Sequence, residues 1–190
     1  MNELELKGGS HLCSAIRVRG ADLISEVLAR RQLPYTITII GGEEAWIEAE
    51  AIANSSASVI LNPARCTPST WTTQDCKVPG DGRSAAQILL DHGVNVGLSD
   101  QTNFARGLIW EAGWQVSLLD RDYSDFEFAK QAAAFVTWNV AKAFGLKTRG
   151  TIQVGQLANF VVYSGVPGRL NAKISLVVDG ALVETNLEQL

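Results

Sequence analysis

Short segments rich in β-branched residues alternate with helical patterns through the first half of the chain. The predicted strands are 14–20, 35–40, 57–63 and 94–100. The predicted helices between them are 21–33, 43–55 and 83–93. Strands separated by helices pair in parallel, and their crossovers are right-handed. The pattern therefore predicts an α/β fold with four strand–helix units and a parallel sheet.

The second half of the chain has a different pattern. Segments 104–119 and 126–146 have helical spacing of apolar residues, and Gly145 is a stop signal for the second helix. Segments 150–165 and 172–185 are strand-like, with Asp179-Gly180 as a hairpin turn. A small β module is therefore expected to follow the α/β part.

Composition narrows the classes of function. The 190 residues are 46% hydrophobic and 19% charged, which fits a globular protein with one domain or two small ones. The net charge of -4 argues against a general nucleic-acid surface. No membrane span or secretory signal is recognisable, and the three cysteines form no CxxC pair. A cytoplasmic location is expected.

The fourth predicted strand, "VNVGLSD", ends in an acid, Asp100. An acid at the end of a buried strand suits metal or proton chemistry, but it also suits a turn or a helix N-cap. Asn103 and Arg106 follow closely and are candidate substrate-binding residues at the same mouth. Instead of binding substrate, Asn103 could cap a helix and Arg106 could occupy a surface position.

A polar segment, 64–82, separates the third strand from the next helix. Segments of this length without regular structure are usually functional or mobile, so Trp71 is a candidate substrate-binding residue. Trp110 and Trp114 lie four residues apart on one helix face, which favours core packing. Gly41-Gly42-Glu43-Glu44 is interpreted as a tight strand-to-helix turn rather than an anion site, because two acids already occupy it.

The closing pattern "TWNVAKAFGL...GTIQVGQLANFVVYSGVP...VVDG" is the most specific motif in the chain. Its matching positions are Thr137, Asn139, Ala141, Gly145, Leu146, Gly150, Ile152, Gly155, Ala158 and 178–180. With these residues and "VNVGLSD", the chain resembles the C-terminal half of a metal-dependent amidohydrolase of the imidazolonepropionase-like kind. The resemblance extends over roughly residues 16–185.

This resemblance implies a fold and a chemistry. The fold would be the last four strand–helix units of a (β/α)₈ TIM barrel over residues 13–148, followed by strands of a composite β-sandwich over 149–190. The active site of such a barrel lies at the carboxyl ends of its strands. The implied activity is hydrolysis of carbon–nitrogen bonds other than peptide bonds in a small amide-type substrate. Asp100 would bind a divalent metal such as zinc and transfer the proton.

Two departures from the family pattern change this expectation. The sequence has no H-x-H motif, and Arg17 stands where the family has a metal-binding histidine. His11 and His92 are the two histidines of the sequence, and neither fits a metal motif. A permanent positive charge repels a metal cation. We therefore expect the metal to be absent and the hydrolase activity to be impaired in this chain.

The alternative hypothesis is a catalytically inactive, truncated homologue that acts as a binding or self-association module. Half of a barrel would leave unpaired strand edges at 16–19 and 94–98. Open strand edges promote pairing with another chain, so a homo-oligomer is expected under this hypothesis.

Overall fold

The first half of the chain forms a five-stranded sheet with helices between its strands. In a computed structural model, the described residues are 3–8, 11–18, 20–29, 36–62, 64, 78–99, 107–180 and 182–184. The elements of this half are β1 (Glu3–Gly8), β2 (His11–Val18), α1 (Ala21–Ala29), β3 (Thr36–Gly41), a 3₁₀ turn (Ala45–Glu48), α2 (Ala49–Ser55), β4 (Ser58–Leu61), α3 (Ala85–Asp91) and β5 (Asn95–Leu98).

Helices and a second sheet make up the other half. Its elements are α4 (Leu108–Ser117), α5 (Asp125–Val136), α6 (Trp138–Ala143), β6 (Asn159–Tyr163), β7 (Ile174–Asp179) and β8 (Leu182–Glu184). The predicted α/β class with a parallel sheet is confirmed. None of the described helices is long and apolar enough to span a membrane.

The five-stranded sheet has the order β1-β2-β3-β4-β5, and β2 to β5 pair in parallel. The N-terminal strand β1 pairs antiparallel with β2, from Glu3 opposite Ile16 to Gly8 opposite His11. The sequence prediction did not include β1. It therefore left Ile16 on an open edge, which is wrong because Glu3 pairs with it.

One face of the sheet carries the main hydrophobic core. Ile39, Val59 and Val96 are consecutive partners across β3, β4 and β5, and all three are fully buried. They belong to the same buried cluster as Ile24 of α1 and Ile52 of α2. The β-branched residues that predicted these strands are thus the residues that pack against the helices.

The opposite face carries a row of small or polar side chains, Ala15, Thr38, Ser58 and Asn95, and α6 packs across this row. The Thr38 hydroxyl donates to the carbonyl oxygen of Ala143 at 2.7 Å. The Asn95 amide donates to the carbonyl oxygen of Asn139 at 2.9 Å. A Cβ on Gly97 would lie 3.0 Å from Val140 Cγ2, so glycine lets the helix approach this closely. Polar groups buried under α6 are therefore satisfied by its backbone.

The predicted helix over 126–146 is divided in two at Thr137, whose φ of -128° and ψ of -84° are not helical. The Thr137 hydroxyl donates to the carbonyl oxygen of Ala133 at 2.7 Å. At the start of α5, Ser124 and Glu127 form a capping box, and hydrogen bonds from Ser124 lower the pKa of Glu127. The break allows α6 to lie across the sheet as a separate helix.

The second sheet is antiparallel, with the order β6-β7-β8. Gly180 has a φ of 64° in the turn between β7 and β8, so the predicted Asp179-Gly180 hairpin is confirmed. The side chains of Val161 and Val162 in β6 are 42% and 41% exposed. Because neighbouring strand residues point to opposite faces, each face of β6 presents an apolar side chain.

Candidate functional site

The carboxyl ends of β2 to β5 meet at one edge of the parallel sheet. The residues at these ends are Val18, Gly41, Leu61 and Leu98, which are partners across the sheet. The polypeptide leaves the sheet here into the segments before α1, α2, α3 and α4. Ligands of parallel α/β sheets bind at this edge, so it is the candidate functional site.

The glycine pair after β3 shapes this edge. Gly41 has a φ of 104°, and a Cβ on it would lie 2.6 Å from the carbonyl oxygen of Val18. The Gly42 N–H donates to the same carbonyl oxygen at 2.7 Å. A Glu44 carboxylate oxygen accepts from the Ala21 N–H at 3.2 Å, at the start of α1. This geometry agrees with a tight turn, and it places Glu44 at the positive end of the neighbouring helix α1.

Asn62 and Ser99 join the ends of β4 and β5. The Asn62 N–H donates to the carbonyl oxygen of Gly41 at 3.0 Å, and the Ser99 N–H donates to that of Leu61 at 3.0 Å. The Asn62 side-chain amide donates to the Ser99 hydroxyl at 3.5 Å. Asn62 is buried and Ser99 is partly exposed. The sequence analysis did not single out either residue, although the dipeptide Asn-Pro at 62–63 is a turn signal in the sequence.

Arg17 lies near the carboxyl end of β2, opposite Ile40 of β3, and its side chain is exposed. Ala15, two residues earlier in β2, is opposite Thr38. Side chains alternate along a strand, so Arg17 belongs to the sheet face that also carries Thr38. A guanidinium therefore stands on the α6 side of the sheet, close to the carboxyl edge.

The residues that the sequence predicted for catalysis and substrate binding lie outside the described residues. They are Asp100, Trp71, Asn103 and Arg106. Ser99, the residue immediately before Asp100, stands at the carboxyl edge of the sheet. The roles of the four residues stay predictions.

Comparison with known proteins identifies the family. The model of the amidohydrolase family matches residues 19–185 of this chain. This chain belongs to the amidohydrolase family. The family predicted from the closing pattern is confirmed. Among curated protein sequences, none matches the chain.

Solved structures share the fold of this amidohydrolase-family chain. An amidohydrolase from Thermotoga maritima MSB8 matches with a TM-score of 0.71 and 19% identity, over 89% of this chain and 42% of that one. A prolidase in complex with N-methylphosphonate-L-proline matches with a TM-score of 0.62 and 17% identity, over 90% and 44%. Atrazine chlorohydrolase from Arthrobacter aurescens TC1, in complex with zinc, matches with a TM-score of 0.51 and 18% identity, over 77% of this chain and 35% of that one. This chain spans less than half the length of each.

The family's usual cofactor is a divalent metal, and the described residues do not fit such a site. Within the described part of the chain, no group of three histidine, cysteine, aspartate or glutamate side chains is arranged to hold a metal ion. His92 caps the C-terminus of α3, where its Nδ1 lies 2.8 Å from the carbonyl oxygen of Ile88. His11 is the first residue of β2. Both histidines therefore stand toward the amino ends of the strands, away from the candidate site.

The two tryptophans of α4 are not core residues. Trp110 and Trp114 are 44% and 51% exposed, so the predicted core packing is wrong. They line a groove of about 600 Å³ together with Leu170. The side of α4 that packs closely on another segment contains Gly113. A Cβ on Gly113 would lie 2.1 Å from the carbonyl oxygen of Gly168. The close backbone contact at Gly113 leaves the tryptophans at the margin of this packing.

Proposed function

We propose that this chain is an amidohydrolase-related protein in which the hydrolysis of carbon–nitrogen bonds is impaired. The observation that carries the proposal is the position of Arg17, a permanent cation on the sheet face and near the edge where the family chemistry takes place. Metal-dependent hydrolysis needs a bound cation that lowers the pKa of water. A guanidinium beside that position opposes metal binding by charge repulsion.

The proposed architecture is the last four strand–helix units of a (β/α)₈ barrel, with residues 149–190 as strands of a composite β-sandwich. The parallel order of β2 to β5 and the coverage of solved amidohydrolase structures support this proposal. The proposed boundary, between 13–148 and 149–190, falls between α6 and β6. In such a barrel the face that carries Thr38 and Arg17 would be the interior.

The family resemblance supplies the proposed roles of the remaining residues. Asp100 would be the late-strand acid, and Trp71, Asn103 and Arg106 would contact a small amide-type substrate in the cytoplasm. Zinc is the metal we would expect in an intact family member, where it would activate water. Zinc sites usually have about three protein ligands, and within the described residues no group of three candidate ligands is arranged to hold a metal ion.

A combined metal and activity measurement tests the impairment. The purified chain, incubated with zinc and desalted, is expected to hold well below one equivalent of metal by mass spectrometry. It is also expected to show no turnover of cyclic and linear amides. Asp100→Asn should leave both results unchanged, as should the control Asp122→Asn at an exposed position. Near-stoichiometric zinc, together with turnover that Asp100→Asn abolishes and Asp122→Asn retains, would refute the proposal.

A second candidate function is self-association without catalysis, and the second sheet favours it. Among the strands that the structure describes, β6 is an outer strand of this sheet, and its Val161 and Val162 are partly exposed. Outer strands with apolar side chains pair readily with another chain. The partner that we propose is a second copy of this chain, joined edge to edge through β6.

Sedimentation velocity tests self-association. We expect a concentration-dependent dimer. Val162→Lys should raise the dissociation constant of the dimer by about tenfold or more, because it places a charge on the pairing strand. Val154→Lys is the matched control, since Val154 is fully exposed but lies outside β6. A monomer at micromolar concentration, or equal weakening by both variants, would exclude pairing through β6.

A further inference from the structure

A groove of about 900 Å³ lies between the second sheet and the helices α5 and α6. On the sheet side it is lined by Val161 of β6 and by Val177, the partner of Val161 in β7. On the helix side it is lined by Val136, the last residue of α5, and by Val140 of α6. Small-molecule sites have volumes of about 300–1,000 Å³, so this groove has room for a ligand.

Apolar side chains of this groove are accessible to solvent. Val161 is 42% exposed, and Leu146 and Ile152, which also line the groove, are exposed as well. Accessible apolar side chains that line a concave surface are typical of a binding site, because a ligand removes their surface from water. The lining therefore favours a ligand with an apolar part.

Arg149 brings a positive charge to the lining of the groove, and it is exposed. Its side chain has no hydrogen bond or ion pair with any residue that the structure describes. The arginines that form ion pairs among the described side chains are Arg83, Arg121 and Arg169. The Arg149 guanidinium therefore keeps its forked donors for an anion.

The other titratable groups of the lining also favour an anion over a cation. The Asp179 carboxylate accepts a hydrogen bond from the side-chain amide of Asn159, which lies opposite it in β6. A cationic ligand would have to compete with Asn159 for this carboxylate. Burial raises the pKa of Tyr163, so its hydroxyl stays neutral and can donate to an oxygen atom.

We propose that this groove binds a free medium-chain aliphatic carboxylate, with the carboxylate on Arg149 and the tail between the second sheet and helices α5 and α6. A guanidinium binds a carboxylate through two parallel hydrogen bonds. The tail gains free energy by removing apolar surface of Val161 and its neighbours from water. The proposal does not require that the chain hydrolyses a substrate.

Carboxylates of increasing chain length are the probes. Hexanoate, octanoate and decanoate would be titrated into the chain by isothermal titration calorimetry, below the concentrations at which they form micelles. Each added methylene should tighten binding by about two- to fourfold, as expected for its burial in an apolar groove. Octyltrimethylammonium has the same kind of tail and the opposite charge, and it should bind at least about tenfold more weakly than octanoate.

One pair of variants tests the anchor for the carboxylate. Arg149→Met should weaken octanoate binding by at least about fivefold, because it removes a charge-assisted hydrogen bond, and should leave the binding of 1-octanol unchanged. Lys147→Met is the control, since Lys147 is an exposed cation two residues away that does not line the groove. It should change octanoate binding by less than about twofold.

A second pair of variants tests the place of the tail. Val161 and Val162 are neighbours with almost equal exposure, 42% and 41%, but only Val161 lines the groove. Val161→Gln should weaken octanoate binding by at least about threefold, because it places a polar amide beside the tail. Val162→Gln should leave this binding unchanged. Thermal unfolding of each variant checks that the fold is retained.

Several outcomes would overturn the inference. They are no measurable binding of octanoate or decanoate, affinity that does not rise with chain length, and equal binding of octyltrimethylammonium and octanoate. Equal effects within either pair of variants would overturn it as well. Stoichiometric zinc with amide turnover would instead refute the proposed impairment, so the two proposals can fail separately.

Discussion

Replacing Phe135 with alanine is expected to lower the free energy of unfolding by about 3–5 kcal/mol. Phe135 is fully buried near the end of α5 and belongs to the same hydrophobic cluster as the sheet residues Val96 and Leu98. Truncation removes the apolar contacts of the ring and leaves a cavity that close-packed neighbours fill only in part. Urea unfolding, followed by far-UV circular dichroism, measures the loss.

The same helix contains a matched control. Phe126 is 77% exposed, so Phe126→Ala is expected to change the stability by no more than about 0.5 kcal/mol. Phe135→Ala can remove much of the free energy of unfolding of a small domain. Phe135→Leu is therefore a milder variant whose urea unfolding transition stays measurable. Equal effects of Phe135→Ala and Phe126→Ala would show that α5 does not pack on the sheet as described.

Replacing Gly41 with alanine is expected to destabilise the chain by about 3 kcal/mol, from two additive causes. The first is the φ of 104°, which disfavours any residue with a Cβ. The second is a collision, since the new Cβ would lie 2.6 Å from the carbonyl oxygen of Val18. This carbonyl belongs to backbone that also accepts the Gly42 hydrogen bond, so it cannot move aside cheaply.

Gly93 separates the two causes. Its φ is 76°, but no atom of the described structure lies within 4 Å of a Cβ built on it. Gly93→Ala should therefore cost only the backbone strain, about 1 kcal/mol. The urea midpoints of the two variants give the comparison. A Gly41→Ala variant no less stable than Gly93→Ala would show that the turn at the carboxyl edge can relax.

The strands of the parallel sheet were predictable because local chemistry and burial agree there. Ile39, Val59 and Val96 are β-branched residues in short apolar segments, and the fold buries all three on one face. The Asp179-Gly180 turn was predictable for a similar reason, since glycine tolerates the positive φ that the turn requires. These features depend on a few neighbouring residues.

Features set by distant contacts were missed. The antiparallel pairing of Glu3 with Ile16 depends on how the N-terminal segment meets β2. Charged and apolar residues alternate from Glu3 to Lys7, which is a strand pattern that the sequence analysis overlooked. The division of the predicted long helix at Thr137 accompanies the packing of α6 on Thr38 and Asn95, which are far away in sequence. Trp110 and Trp114 have core-like spacing, but Gly113 sets which side of α4 contacts Gly168.

In the candidate site, too, some features follow from neighbouring residues and others from distant contacts. By itself, the sequence determined the family through its closing pattern and the α/β class through the alternation of strands and helices. Through the resemblance it also predicts that Arg17 replaces a metal-binding histidine of the family. These are properties of residue type and spacing. Only the tertiary structure decided that Arg17 shares a sheet face with Asn62 and Ser99 and that α6 packs on Thr38 and Asn95 of that face. The reason is physical: strand register and helix packing join residues that no local pattern connects.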